Sequence, residues 1–207
     1  QKDGHSVLWG TQPEWVEGLS RAYPTVKFVP QDTLPIDYNR QDEHDSNGYR
    51  VIPLRWSVEI MKTSYVDCMK TKYSMFNQHY MRWKEGAMWQ RTEEREKALF
   101  DKLGLNIGES YVVINETYQS DHKGHKTIIP DVKARVIKMR TIAGFSMFDW
   151  ALVLERAKEI HTVSTSLFYM LEMLDLRQPI HLYPRNTDPR FDHIKYLFTK
   201  PYVLHYD

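Results

Sequence analysis

The sequence predicts an α/β protein: a Rossmann-like parallel sheet flanked by helices, preceded by a reduced N-terminal α/β portion and a long helical segment. Three observations predict it. Residues 111–115 (YVVIN) form a continuous apolar run of the kind buried on both faces of a parallel sheet. Apolar runs and helical periods then alternate over residues 134–183 with short connections, which calls for right-handed crossovers and helices packed on the sheet. Over residues 57–83, apolar and aromatic side chains return every three or four positions. The expected portions are therefore 1–56, reduced α/β; 57–104, helical; and 105–207, Rossmann-like.

In chain order, residues 6–9, 26–29 and 49–54 are extended candidates, separated by Pro-rich and Asp/Asn-rich stretches that favour turns. Residues 31–48 carry Asp32, Asp37, Asp42, Glu43 and Asp45 among few apolar residues and are expected to be a mobile loop. Val58, Met61, Tyr65, Met69, Tyr73, Phe76, Tyr80 and Trp83 mark one long helix or two in line, with Ser57 as N-cap and Gly86 as interruption. A further helix starts near Glu93, capped by Thr92, with Glu93 and Glu94 at its positive end and Gly104 just past its last turn. Strands are expected at 111–115, 134–139, 160–163 and 180–183, and helices at 147–158 and 167–174. Ser146 and Asp149 have the spacing of a capping box at the first of these helices.

Composition narrows the function classes. Twenty-eight Lys and Arg against 27 Asp and Glu leave a weak global field, so no nucleic-acid partner is expected. No run approaches the roughly eighteen apolar residues of a membrane span, and residues 1–10 lack the apolar core of a signal peptide. The lone Cys68 can make no internal disulfide, which fits a reducing, cytoplasmic setting; a small buried side chain on a helix is its simplest role. There is no Walker loop, GxGxxG or GxSxG, which argues against P-loop hydrolysis, dinucleotide redox chemistry and the common serine hydrolases.

Ligands of open parallel sheets bind outside the carboxyl ends of the strands, so the turns after Asn115, Arg140, Val163 and Tyr183 are where chemistry is expected. Ser164, Thr165 and Ser166 lie between a strand and the first turn of a helix, where hydroxyls and unpaired amides suit a diphosphate. The alternative is that one hydroxyl simply caps the helix. Arg185, after the next strand, can approach the same anion, and Asn115 and Glu116 can bond a base or ribose; solvated turn residues are the alternative for each.

The stretch AKEIHTVSTSLFYMLEML followed by PIHLYPR, residues 157–185, resembles the second domain of GT-B glycosyltransferases, chiefly the heptosyltransferase-like and fucosyltransferase-like branches. RTEEREKALFDKLGL followed by YVVINETY, residues 91–118, is similar to the helix and first strand that open the donor domain in bacterial and phage proteins of this kind. The likeness covers about half of the chain. It implies a nucleotide-sugar donor and transfer to an acceptor that the residues do not identify. Ser164, Thr165 and Ser166 would face the donor phosphates, Asn115 and His161 would line the cleft, and Arg91 and Glu96 are weaker carry-overs. A full GT-B enzyme has two complete Rossmann-like domains, and residues 1–56 have room only for a reduced one.

No Asp-x-Asp pair occurs, in keeping with a metal-independent mechanism in which dipoles and cations stabilise the leaving diphosphate. No metal site and no cofactor are expected. His122 and His125 lack a completing ligand cluster and are read as a solvated hairpin. Asp42, Glu43, His44 and Asp45 are candidate bases only through their place on the acidic loop. The Trp, Tyr and Met stripe of 57–83 is read as core or as a self-association surface, and Lys70, Lys72, Arg82 and Lys84 around it could form a local basic patch. The alternative to an enzyme is a non-catalytic GT-B-like module that docks a partner through that stripe.

Overall fold

The computed structural model describes residues 6–34, 36, 40, 42–53, 65–118, 126–131, 133–184 and 196–205, the side chains at 65, 66 and 68 excepted. The protein is mixed α/β. Its chain divides into two compact units, Gln1–Arg82 and Trp83–Asp207. Among the described residues no helix is long and apolar enough to cross a membrane.

In Gln1–Arg82, β1 (Leu8–Thr11) and β2 (Lys27–Pro30) pair in parallel, with Leu8 opposite Lys27. The connection is α1 (Pro13–Ala22), where a chain of turns was expected. Pro13 starts this helix rather than breaking it, because a proline at the first helical position gives up an amide that would have no partner there. Glu14 in the first turn and Arg21 in the last match the helix dipole, and Arg21 also pairs with Glu17 one turn back.

The expected mobile loop also contains structure. Gln31–Thr33 is a 3-10 turn, and β3 (His44–Ser46) forms an antiparallel hairpin with β4 (Tyr49–Val51). Asn47 and Gly48 connect them with φ of 49° and 80°, as a two-residue hairpin turn with the twist of its strands requires. Of the expected long helix, the described part is α2 (Tyr65–Ser74), and it stops there. Asn77 takes a φ of 50°, and the Gln78 amide returns to the Tyr73 carbonyl, which closes the helix end. The chain resumes as a 3-10 turn at Tyr80–Arg82. Met69 and Tyr73 are half-buried and Phe76 is 48 % exposed, so the periodic stripe is not one continuous buried face. Tyr65 and Cys68 carry expectations whose side chains lie outside the described residues.

Trp83–Asp207 begins with α3 (Trp83–Gly86) and α4 (Glu93–Lys102). Thr92 stands at the N-cap of α4 but its side chain makes no capping bond. Arg91 and Arg95 instead tie this end down. Arg91 bonds Glu96 and Glu155, and Arg95 bonds both carboxylate oxygens of Asp149 at 3.1 and 3.2 Å. Gly104 follows the helix with a φ of 65°, as expected for its stop.

Five parallel strands follow: β5 (Tyr111–Asn115), β6 (Arg135–Lys138), β7 (Glu159–Val163), β8 (Ile180–Tyr183) and β9 (Tyr202–Leu204). Their order is β6-β5-β7-β8-β9. Between β6 and β7 lie a 3-10 turn at Met147–Trp150 and α5 (Ala151–Arg156), opened by the expected capping box, in which Asp149 Oδ2 accepts the Ser146 amide at 2.7 Å. Between β7 and β8 lies α6 (Leu167–Met173).

Alternation along the strands sorts the two faces. Tyr111, Val113, Ile160, Thr162, Ile180 and Leu182 point to the helices: the Tyr111 hydroxyl donates to the Val153 carbonyl at 2.8 Å, and Phe168 of α6 meets Tyr202 edge-on at 5.5 Å. The β5-to-β6 connection runs in the opposite direction along the sheet, so a right-handed crossover carries it over the other face. There Ile128 packs on Val112, Ile114 and Val163. Glu116 clamps this connection, accepting the Ile128 amide at 2.8 Å and Lys138 Nζ at 2.7 Å.

Candidate functional site

The strand order places a topological switch point between β5 and β7, because the chain leaves β5 toward β6 on one side and returns to β7 on the other. Such points open a crevice outside the carboxyl ends of the strands. Asn115 ends β5 and stands opposite Thr162. Its Nδ2 donates to Thr162 Oγ1 at 3.0 Å and to Thr165 Oγ1 at 3.2 Å, bridging the two strand ends. Thr165 Oγ1 also accepts the Leu167 amide at 3.3 Å, so Thr165 serves the first turn of α6, while the Ser166 side chain makes no capping bond. Ser164 is buried, and its amide extends the sheet to the Tyr183 carbonyl at 3.1 Å; Ser166 is exposed. Asn115, Thr162 and Thr165 thus meet at the carboxyl ends of β5 and β7, with Ser164 and Ser166 flanking Thr165 in the chain. It is a set of neutral donors and acceptors suited to a phosphate, ribose or base edge.

His161 does not join them. It alternates with Thr162 and so points to the opposite face of the sheet, alongside Ile114. There a second constellation forms across β7, β8 and β9. His161 is 3 % exposed, with Nε2 3.2 Å from Glu159 Oε2 and Nδ1 3.1 Å from the Tyr183 hydroxyl. His181, its register partner, stacks on it with ring centroids 4.3 Å apart and 8° between planes. His181 Nε2 lies 3.7 Å from the same Glu159 oxygen, and its Nδ1 lies 2.8 Å from His205 Nε2. Tyr183 and His205 stack in turn at 4.4 Å.

Burial pushes the His161 imidazolium below its ordinary range, helped by His181 and opposed by Glu159. Burial does the same to His181, helped by His205 and opposed by Glu159. Burial thus favours the neutral form of both rings. Burial first, then Glu159, raises the Tyr183 phenol. Glu159, His161 and His181 each offer a ligand atom, and these atoms lie within 4.8 Å of one another, a spacing that a metal ion can bridge.

The remaining expectations fall elsewhere. Arg91 and Glu96 are spent on each other and on Glu155, in a structural clamp between α4 and α5. Glu116 holds the β5–β6 connection. Of the loop bases, Asp42 pairs with Arg40, Glu43 with Arg50, and His44 Nδ1 meets the Asp42 carbonyl at 2.9 Å. Of the suggested basic patch, Lys70 pairs with Asp67 and Lys84 with Glu172. Arg185, His122 and His125 lie outside the described residues.

Sequence reasoning missed Glu159, His181, Tyr183 and His205. A signal was present: Glu159 and His161, and likewise His181 and Tyr183, are two apart on expected strands and so share a face. Joining the pairs needed the register of β7 on β8. In comparisons of the whole chain, no family model, no curated protein and no solved structure matches it.

Proposed function

We propose that Trp83–Asp207 binds a nucleotide diphosphate sugar at the carboxyl ends of β5 and β7, and that the protein is a glycosyltransferase acting on that donor without a metal on the diphosphate. The observation that carries the reading is the Asn115 amide held between Thr162 and Thr165 at the switch point of a parallel sheet. The resemblance of residues 157–185 to GT-B donor domains supplies the reaction class. His161, on the other face, is not needed for donor contact in this reading. Arg185, which follows β8 in sequence, is the cation it would enlist.

In the transfer, a base takes the proton of the acceptor hydroxyl, the acceptor oxygen bonds the anomeric carbon, and the bond from that carbon to the diphosphate oxygen breaks with its electrons. The growing charge on the diphosphate is met by the hydroxyls of Ser164, Thr165 and Ser166, with Asn115 positioning Thr165 through its amide. A donor already fixed by neighbouring contacts, as the Thr165 hydroxyl is by Asn115 and the Leu167 amide, needs little reorganisation when that charge develops.

Calorimetry of the full chain with UDP, GDP, ADP and CMP tests the reading. One nucleoside diphosphate is expected to bind selectively and raise thermal stability. Asn115→Ala, or Ser164→Ala with Ser166→Ala, is expected to weaken that binding by about 1–3 kcal/mol in folded protein. No binding by any of the four, or unchanged affinity in these variants, turns the assignment to the non-catalytic interaction module. The exposed Met75 and Phe76 side chains beyond α2 favour that second reading.

A further inference from the structure

We propose that Glu159, His161 and His181 form a binding site for a divalent transition-metal ion of the zinc class, on the face of the sheet opposite Asn115. The site is independent of the nucleotide reading and goes beyond it.

The donor set is the first argument. Two imidazoles and one carboxylate suit zinc and its neighbours, whereas magnesium and calcium take oxygen ligands almost entirely. The second argument is placement. Glu159 and His161 are two apart on β7, and His181 is the register partner of His161 on β8, so three ligands hang from two hydrogen-bonded strands. A tetrahedral ion with bonds of about 2.0–2.1 Å needs ligand atoms about 3.3 Å apart. The Glu159 oxygen already stands 3.2 Å from His161 Nε2 and 3.7 Å from His181 Nε2.

The outer contacts are the third argument. A ligating histidine is commonly oriented through its other nitrogen. His161 Nδ1 has the Tyr183 hydroxyl at 3.1 Å, and His181 Nδ1 has His205 Nε2 at 2.8 Å. Both partners can accept an N–H, so each ring can carry a proton on Nδ1 and present the Nε2 lone pair to the ion. Glu159 and His181 keep 16 % and 19 % of their side chains exposed, so the site can be reached from solvent through them.

The stacked rings set the one movement required. The ring planes are 8° apart, and both Nε2 atoms lie on the Glu159 side of the stack. Entry of the ion tilts the His181 ring until the two Nε2 atoms converge beside Glu159, with the His205 ring following to keep its contact with Nδ1, exchanging a ring stack for stronger metal–nitrogen bonds. Three protein ligands then leave the fourth tetrahedral position to water or to an oxygen of a bound molecule.

The test is titration of the full chain, without nucleotide, with cobalt(II), read by visible absorption and followed by competition with zinc and with excess magnesium. The expected result is one saturable site with the intense absorption of tetrahedral cobalt, displaced by zinc and not by magnesium. His181→Gln, at a partly exposed position, is expected to lose the signal while circular dichroism shows the fold kept. His205→Gln, removing only the outer contact, is expected to weaken affinity about 10- to 100-fold. His122→Ala with His125→Ala is expected to bind as the parent does. Absence of the tetrahedral spectrum, a signal that survives in folded His181→Gln, or a signal lost with His122 and His125 overturns the proposal. Failure of nucleotide binding leaves all these outcomes unchanged.

Discussion

The two units of this chain bury their strands to different degrees. In Trp83–Asp207 all five residues of β5 are buried, and Val153, Leu154, Val163 and Leu171 are at 0 % exposure. In Gln1–Arg82, Ala22 is the only apolar side chain fully buried among the described residues, β1 buries one residue of four, and Trp9 and Trp15 are about half exposed at 48 % and 52 %. Among the described residues, the first unit closes two strand pairs of local origin, and the second a five-stranded sheet between helices and a crossing segment. Among the described residues, apolar burial, the dominant favourable term in folding, is thus concentrated in the second unit.

The sharpest break of this comparison is a pair of truncations. Leu171→Ala is expected to cost about 2–5 kcal/mol in denaturant unfolding of the full chain, and Trp15→Ala within about 0.5 kcal/mol. Equal losses would show that burial is not the difference between the units.

The same contrast explains what could be read from sequence. Residues 111–115 and 180–183 are strands at the expected bounds, and 160–163 and 134–139 are strands to within a residue, because buried parallel strands are dense in β-branched and aliphatic residues. α1 was hidden because Pro13 and the sparse face of Val16, Leu19 and Ala22 look like turn and loop. The hairpin at 44–51 was hidden because its Asn47-Gly48 turn sits inside an acidic stretch whose composition outweighed it. β9 has only three residues and is held by contacts far away in sequence: Glu172 accepts from Lys84, the Thr199 amide and the Tyr202 hydroxyl. No local pattern announces such a strand. At the candidate site, Asn115 and Thr165 were legible from strand ends. The separation of His161 from them follows from strand alternation, and the His161–His181 pairing required register.

That anchor of β9 is the next test. Glu172→Gln is expected to cost about 2–3 kcal/mol at neutral pH, since a buried carboxylate with several donors is replaced by a neutral amide. Its pH dependence has a defined sign. Burial raises the Glu172 carboxyl, but Lys84, Thr199 and Lys200 outweigh it and hold the group below the ordinary carboxylate value in the fold. The stability it contributes is therefore complete above that ordinary value and is lost as pH falls through it toward the folded-state value. Glu172→Gln should flatten this part of an acid titration of stability, and a parallel curve would contradict the assignment.

Arg91→Ala is expected to cost about 1–2 kcal/mol, because Glu96, nearly buried, loses its partner while Arg91 itself is partly exposed to solvent. Arg91→Lys should restore little, as a point charge cannot span the two carboxylates that the guanidinium bonds. In the first unit, Gly48→Ala is expected to cost about 1 kcal/mol through its left-handed backbone alone, since open space surrounds the added methyl. A larger loss there would mean that the hairpin carries more of its unit than burial suggests.

The crevice between the ends of β5 and β7 is the proposed nucleotide site. An amide NMR titration of the full chain with UDP and, separately, GDP tests it most directly. The resonances of Asn115 and of residues 164–167 are expected to move first and saturate together with the better of the two, while those of Glu159, His161 and His181 on the other face stay in place. Shifts centred on that other face or on Gln1–Arg82, or none with either nucleotide, would contradict it.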